Sequence, residues 1–576
     1  MNIITKNLVK DFLTENELPS QNESVDFEKF AVYSVARKYY SSEFDLSDIV
    51  VGSGADTGLD GIILIVNGML VNSKEEIDDL RKRNNYLDVV WILVQAKTSQ
   101  KFDSGDVNTF CLGVEDFFLS SIGLQANNDV VEKKSLWEHI FSNHAVALRN
   151  NPKCYLYYVC NGVVNDSLND HLSITNNLKN KLEQASLFSS IAFKLCGANE
   201  INALYKEARN NLTCQIYFAS KTSFPQIKTV TSAYVGLLPL KEFKKLIVDE
   251  DGNVKNVFED NIRDFLDLTN PVNSKINDTL NGEDCFLFPL MNNGVTIVAN
   301  RLQQTGDVFI LFDYQIVNGC QTSNVLAKYI DKDSLGDLSV PVKIIETTDI
   351  DTKNNITLAT NSQTQVKREQ LAALSNFQKT LEVYYNAASL TPKLFYERRS
   401  NQFLNDGSVI KARIITVQNQ IKAFAAMFLR KPHQVTSYYG ELTKNLGMEN
   451  SDIFNPKHQP LTYYLAGHCL YRLEAMFRAG SIDSTNKKYR FFILFGFVSA
   501  ILKNDLKSLD FTSERVNAKN LKPLQDILEK QDDTNTLLKT ITDSIVSSSI
   551  ITGKESLKLS STTEAVYNLC CNIAIP

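Results

Sequence analysis

The chain has 576 residues, 43% of them hydrophobic and 22% charged. That composition suits a soluble globular protein of two to four domains, at roughly 150 residues each, and excludes collagen-like, low-complexity and disulfide-scaffold classes. With 60 Lys and Arg against 66 Asp and Glu the net charge is −6, so any grip on nucleic acid has to come from local basic patches.

No window reaches the roughly 18 apolar residues of a membrane span, and the N-terminus has no unbroken apolar block. A cytoplasmic protein with no membrane partner is expected. The ten cysteines are mostly scattered, none forms a C-x-x-C pair, and the six histidines do not cluster with them. Buried free thiols are expected, and a zinc site is not.

In chain order, helical spacing predicts helices over 8–18 and 27–40, the second with Phe27, Phe30, Ala31, Ser34, Val35 and Lys38 in phase. The β-branched run 62–66 reads as a strand closed by the turn pair Asn67-Gly68. A polar helix over 73–84, a buried strand over 89–96 and a helix over 104–119 follow. Residues 155–159 form another apolar strand, closed by Asn161-Gly162, before a strand over 191–195 and a helix over 200–209. Strands alternating with helices predict an α/β layered domain over 1–215. Region 216–365 is richer in strands and turns, notably 292–299 and 314–319, and reads as a central mixed α/β module. Region 366–576 is mainly helical, with periodicity over 370–387, 418–428 and 461–478, and its apolar run 491–502 is short enough for a buried helix. The fold class expected is α/β and α+β multidomain. Glu449 to Asp452 and the pair Lys487-Lys488 read as solvated surface.

The chemistry concentrates between Gly52 and Lys97. Asp60 precedes the first strand, within Gly58-Leu59-Asp60-Gly61, and 35 residues later Gln95-Ala96-Lys97 ends the next long apolar strand. Side chains alternate along a strand, so Gln95 and Lys97 share one face and Ala96 points away. If the two strands pair, Asp60, Gln95 and Lys97 converge at one sheet edge. Mg²⁺ takes oxygen ligands, which the Asp60 carboxylate, the Gln95 amide and the Ala96 carbonyl can supply. Lys97 can orient water and offset charge on a phosphodiester transition state. Glu28, on the preceding helix, is the candidate second carboxylate. The bland alternative is that Asp60-Gly61 is a turn and Lys97 a solvated strand end.

These residues, Phe27-Glu28, Leu59-Asp60-Gly61-Ile62 and Val94-Gln95-Ala96-Lys97, resemble the PD-(D/E)xK nuclease superfamily, and Gln in the acid's place resembles the Mrr-type restriction endonucleases. The resemblance implies a restriction-endonuclease-like N-terminal domain, a Mg²⁺ or Mn²⁺ cofactor and cleavage of nucleic acid, with DNA favoured over RNA. It also leaves a homodimer open, although no coiled-coil heptad supports one.

Five further blocks resemble the AIPR (abortive-infection phage-resistance) family: 257–266, 291–297, 315–323, 360–363 with Val366-Lys367, and 395–399. This resemblance implies bacterial anti-phage defence. Read as chemistry, the blocks set Asn, Gln and Thr beside Gly. Such turns can cradle phosphate, and Asn293, Asn318, Gln321 and Asn361 are candidate nucleic-acid contacts. Arg263, Lys367, Arg398 and Arg399 are candidate phosphate contacts, and Tyr396 a candidate base-stacking ring. The alternative is that these Asn and Gln serve turns and a buried polar network. No G-x-x-x-x-G-K-[ST] loop and no G-x-S-x-G elbow occurs. The reading reached is a metal-dependent endonuclease of phage defence. A non-catalytic nucleic-acid sensor is the alternative, and a ribonuclease a third reading.

Overall fold

The computed structural model describes residues 1–576 except 41–42, 53, 55, 121, 165–168, 210–212, 249–254, 256, 258–270, 283–284, 328, 330–337, 361–375, 399–401, 404–407, 436–438, 444–445, 447–450 and 554. Two units result: Met1–Tyr205 together with Arg368–Pro576, and Lys206–Lys367. Most of the sequence region 1–215, up to Tyr205, and nearly all of 366–576, from Arg368, thus supply one unit between them.

The N-terminal half of the first unit is a mixed sheet between helices. Helix α1 (Ile3–Glu15) leads to α2 (Glu23–Tyr39), where the Asn22 side chain accepts from the N–H groups of Ser24 and Val25. Glu23 and Asp26 in the first turn and Arg37 and Lys38 in the last complement the helix dipole. Strands β1 (Gly61–Val66), β2 (Met69–Leu70), β3 (Val89–Lys97), β4 (Lys153–Cys160) and β5 (Ser190–Cys196) stand in the order β2-β1-β3-β4-β5. The β1–β3 pair is antiparallel, with Gly61 opposite Val94, and β3, β4 and β5 run parallel.

Because β1 and β3 are buried on both faces, each needs apolar residues at nearly every position, which is why the unbroken runs are strands. On one face Phe27, Phe30 and Val35 of α2, with Phe12 of α1, cover Ile63, Ile65, Ile92, Val94 and Ala96. On the other, α4 (Ser104–Leu119) and α5 (Asn128–His144) cover Leu64, Trp91, Leu93 and Tyr158 with Phe110, Phe117, Trp137 and Ile140. Helix α3 (Lys74–Asn84) joins β2 to β3.

The C-terminal half is a helical core around Arg490–Leu502, whose residues 491–502 are all buried, and Pro460–Arg478. Among the described residues no helix is long and apolar enough to cross a membrane. Charged pairs join the two halves. Glu17 takes Arg413 at 2.6 Å and Arg478 at 3.2 Å, and Glu75 takes Lys558 at 2.8 Å. Asp45 takes Lys487, which also meets Glu474 at 3.1 Å, while Arg490 lies 3.8 Å from Asp45. Burial works to raise the Asp45 carboxyl, yet Lys487 and Arg490 outweigh it and hold it well below the usual range. Lys487 is therefore a buried tie between halves, where the sequence read solvated surface. A helix end that carries a cation cannot be told from an exposed one until its acidic partner, hundreds of residues away, is placed.

The second unit is a six-stranded sheet. Strands β6 (Thr213–Tyr217), β7 (Ser220–Ser223), β8 (Ser232–Pro239), β9 (Val295–Thr305), β10 (Val308–Asn318) and β11 (Ser339–Glu346) stand in the order β6-β10-β9-β11-β8-β7. Phe243, Leu246 and Ile247 of the helix Leu240–Ile247 pack on its core with Ile297, Phe309, Ile316 and Val340.

Candidate functional site

Asp60 stands at the entrance to β1 and is 3% exposed. Its N–H donates to the Val94 carbonyl at 2.9 Å, and its own carbonyl accepts from Val51 N–H at 2.9 Å. The side chain is fastened as well: Oδ2 accepts the Ala96 N–H at 2.7 Å. Asp60 thus lies immediately before the Gly61–Val94 pair, with its side chain tied to the peptide that follows Gln95. Ala96, whose carbonyl is a candidate metal ligand, also holds the candidate ligand Asp60 through its N–H.

Glu28 reaches the same place from α2. Asp60 Oδ1 and Glu28 Oε2 lie 3.5 and 3.6 Å from the one point where a Cβ on Gly52 would stand. A side chain at 52 would crowd both carboxylates, so glycine keeps that face of the pair clear. Burial pushes the Asp60 carboxyl up to about 7; the Ala96 N–H opposes the rise, Glu28 adds to it, and Lys97 opposes it again. Glu28 is also raised, by burial first, against the Ser24 hydroxyl and the Lys97 ammonium. Lys97 is therefore within electrostatic reach of both acids. Two acids that approach one point, both with proton affinity raised chiefly by burial, are a candidate cation site.

Gln95 is 2% exposed, and its Oε1 has no hydrogen-bond partner among the described residues. A buried unpaired carbonyl oxygen costs about 1–3 kcal/mol, so this acceptor calls for a donor or a cation. Two residues that sequence reasoning passed over are in the same condition. Tyr158 stands beside Gln95 in the parallel β3–β4 register, and its buried hydroxyl is unpartnered. Asn161, 4% exposed, follows β4 directly and has neither amide atom paired. Asp56 completes the acidic side; its Oδ1 accepts Gly58 N–H at 2.9 Å, and its charge raises both Glu28 and Asp60. The end of β3 and the start of β1 thus bring Asp60, Glu28 and Lys97 within electrostatic reach of one another, with Tyr158 of β4 in reach of Asp60, while Gln95 precedes the peptide that holds Asp60 and Asn161 follows β4. Ligand sites in α/β sheets favour this edge. The oxygen donors fit a hard divalent cation, and Gln95 Oε1 is the atom that most needs one.

In the second unit, two of the Asn-rich blocks meet. Asn292 Oδ1 accepts Gly294 N–H at 2.9 Å, and Asn292 Nδ2 lies 3.2 Å from Thr322 Oγ1, at the open end of the β9–β10 pair. Asn293 is exposed there, and Asn318 and Gln321 are half-buried. Asn292 and Thr322 do the work of a local polar network, while Asn293 is presented to solvent. Arg263, Asn361, Lys367 and Arg399 lie outside the described residues.

Arg398 and Tyr396 require correction as nucleic-acid contacts. Arg398 is 3% exposed, and its Nε donates to Glu382 Oε2 at 2.9 Å. Tyr396 is 1% exposed, donates to Gln378 Oε1 and stacks on Tyr385 with ring centres 5.3 Å apart. Both are core components of the helical half, so neither presents a surface to a phosphate or a base.

Residues 258–554 match the sequence model described as AIPR protein. The match covers more than half of the chain, which therefore belongs to the AIPR protein family. It begins in the second unit and continues through most of the helical half, so the family sequence is not confined to the central module. The family suggests a role in abortive-infection phage defence. The Asp60 site lies outside the matched residues. No curated protein and no solved structure matches the chain.

Proposed function

We propose that this AIPR protein is a metal-dependent nuclease that hydrolyses phosphodiester bonds of nucleic acid, DNA in preference to RNA, in defence against phage. The observation that carries the reading is the orphaned Gln95 Oε1, on the residue before the Ala96 peptide that holds Asp60, with Glu28 reaching the Gly52 side of the same carboxylate. The N-terminal sheet, with helices on both faces and its polar residues at the strand ends, supports a restriction-endonuclease-like domain. Asp60, Glu28 and Gln95 would hold Mg²⁺ or Mn²⁺, which when bound polarises the phosphate and makes its water more acidic. The chain's own residues do the rest. The Ala96 N–H fixes the Asp60 carboxylate in orientation, leaving Oδ1 on the Gly52 side. Lys97 places a positive charge where negative charge grows in the transition state. Tyr158 and Asn161 offer hydrogen-bond donors from β4.

Neutral Gln95 in the acid's place favours one second reading, a nucleic-acid-binding or sensing protein without catalysis. The deciding experiment incubates the purified protein with plasmid DNA, single-stranded DNA and RNA in Mg²⁺, Mn²⁺ or EDTA. Cleavage in metal and none in EDTA is expected. Equal cleavage in EDTA, or no cleavage of any substrate in either metal, removes the nuclease reading and puts the sensor first.

A further inference from the structure

A second group of metal-ligating side chains lies on other elements. Asp78 is on α3, and His139 and His144 are in the last turns of α5. Both imidazoles aim Nε2 at one oxygen: His139 lies 2.7 Å and His144 2.6 Å from Asp78 Oδ1. The two rings stand nearly perpendicular, with centres 5.1 Å apart. All three ligand atoms lie within 4.8 Å of one another. The imidazoles are 13% and 15% exposed and Asp78 is 39% exposed, so the cluster is walled on the histidine side and open to water on the other.

We propose that Asp78, His139 and His144 form a binding site for a borderline divalent transition metal of the zinc class, with water as fourth ligand. Two nitrogens and one carboxylate oxygen suit such an ion, whereas Mg²⁺ prefers oxygen donors throughout. Zinc sits about 2.0–2.1 Å from imidazole nitrogen, which puts tetrahedral ligand atoms roughly 3.3 Å apart. The present N–O separations of 2.6 and 2.7 Å need to open by under about 1 Å to admit the ion.

Without metal, each ring can donate Nε2–H to Asp78 Oδ1. With metal, the Nε2 lone pairs turn to the ion and the ring protons sit on Nδ1. For His139 the acceptor for that proton is at hand, because the Asn143 amide lies 2.9 Å from Nδ1 and presents its oxygen after a flip. Bound metal would clip α3 to α5. Since Glu75 of α3 also holds Lys558, the clip stiffens an element that joins the two halves of the first unit. The sequence excluded zinc because it lacks paired cysteines. His139 and His144 are five apart on one helix, but Asp78 is 61 residues away, and the set is visible only once α3 meets α5.

The test strips full-length protein with chelator and titrates it with Zn²⁺ and separately with Mg²⁺, reading heat of binding and Tm. Asp60→Asn is included so that the Asp60 site is disabled. One Zn²⁺ per chain and a raised Tm are expected in the wild type and in Asp60→Asn, with no competition from Mg²⁺. His139→Gln with His144→Gln should weaken zinc by more than about 100-fold, because loss of outer-shell partners alone costs about 10–100-fold. If that double variant fails to fold, Co²⁺ added to the wild type should give the visible absorption of a four-coordinate ion. Zinc binding that survives the double variant, is lost in Asp60→Asn, or is absent from the wild type overturns the proposal, as does a six-coordinate Co²⁺ spectrum.

Discussion

Asp60 Oδ2 and the backbone N–H of Ala96 are 2.7 Å apart, so the carboxylate before β1 is pinned to the residue between Gln95 and Lys97. Gln95 and Lys97, the two candidate site residues of β3, flank the peptide that holds the acid. Movement of β3 at this edge therefore carries all three groups together.

If the proposed nuclease reading holds, Lys97→Ala should remove the positive charge assigned to the transition state. Losing one such electrostatic contact typically costs about 10²–10³ in rate. A long substrate keeps its other phosphate contacts, so affinity should fall far less. Single-turnover cleavage and fluorescence anisotropy on one labelled substrate separate the two effects. Wild-type cleavage by Lys97→Ala contradicts the assigned role.

Asp60 makes stability pH-dependent in a direction unusual for a carboxylate. Its folded value near 7 lies above the ordinary 3.8, so between these values the folded state binds the extra proton. Metal-free protein should therefore lose stability as pH rises from about 4 to about 7, by on the order of 2–4 kcal/mol from this group. Asp60→Asn keeps an acceptor for the Ala96 N–H and should flatten that part of the profile. Urea midpoints at pH 5 and pH 8 in EDTA test this. A wild-type profile identical to that of Asp60→Asn is the opposing result.

Gln95 keeps an unpaired buried oxygen at a cost to the fold. Gln95→Met keeps the length of the side chain and removes an unpaired buried oxygen. It should raise the stability of the metal-free protein by about 1–2 kcal/mol and abolish metal-dependent cleavage. Gln95→Glu should keep activity or shift the metal preference, by giving the site a charged ligand. Chemical denaturation and a Mg²⁺/Mn²⁺ activity series read both variants.

The central and C-terminal basic residues should divide into two kinds. Arg398→Ala leaves Glu382 without its buried partner and should cost about 3 kcal/mol of stability, without changing the salt dependence of any DNA binding. Arg263→Ala, Lys367→Ala and Arg399→Ala should instead weaken binding and flatten the salt slope, each by about one unit. Anisotropy across a salt series, beside a Tm measurement, separates the groups.

The N-terminal sheet was legible because both central strands are buried on two faces and carry unbroken apolar runs. The alternation along 89–97 set Gln95 and Lys97 on one face before any pairing was known. Tyr158 and Asn161 were not legible, because their place depends on β4 running parallel to β3, and an apolar strand does not declare its neighbour. Arg398 looked like half of a basic pair, and its burial came from Glu382 on another element. Lys487 misled for the same reason. A charge carries no local sign of whether its partner is water or a distant carboxylate.

The ties between the halves of the first unit also set an order in time. Asp45 is synthesised 442 residues before Lys487, and Glu17 is 396 residues ahead of Arg413. At about 5–20 residues per second, the first of these acids waits roughly 20–80 s on the ribosome for its cation. The sheet carrying Asp60 and Lys97 has been synthesised through Cys196 well before that interval ends, while the cations of Glu17, Asp45 and Glu75 are still to come. A chain cut short before residue 413 would keep every residue of the Asp60 constellation and none of the cations that pair with Glu17, Asp45 and Glu75.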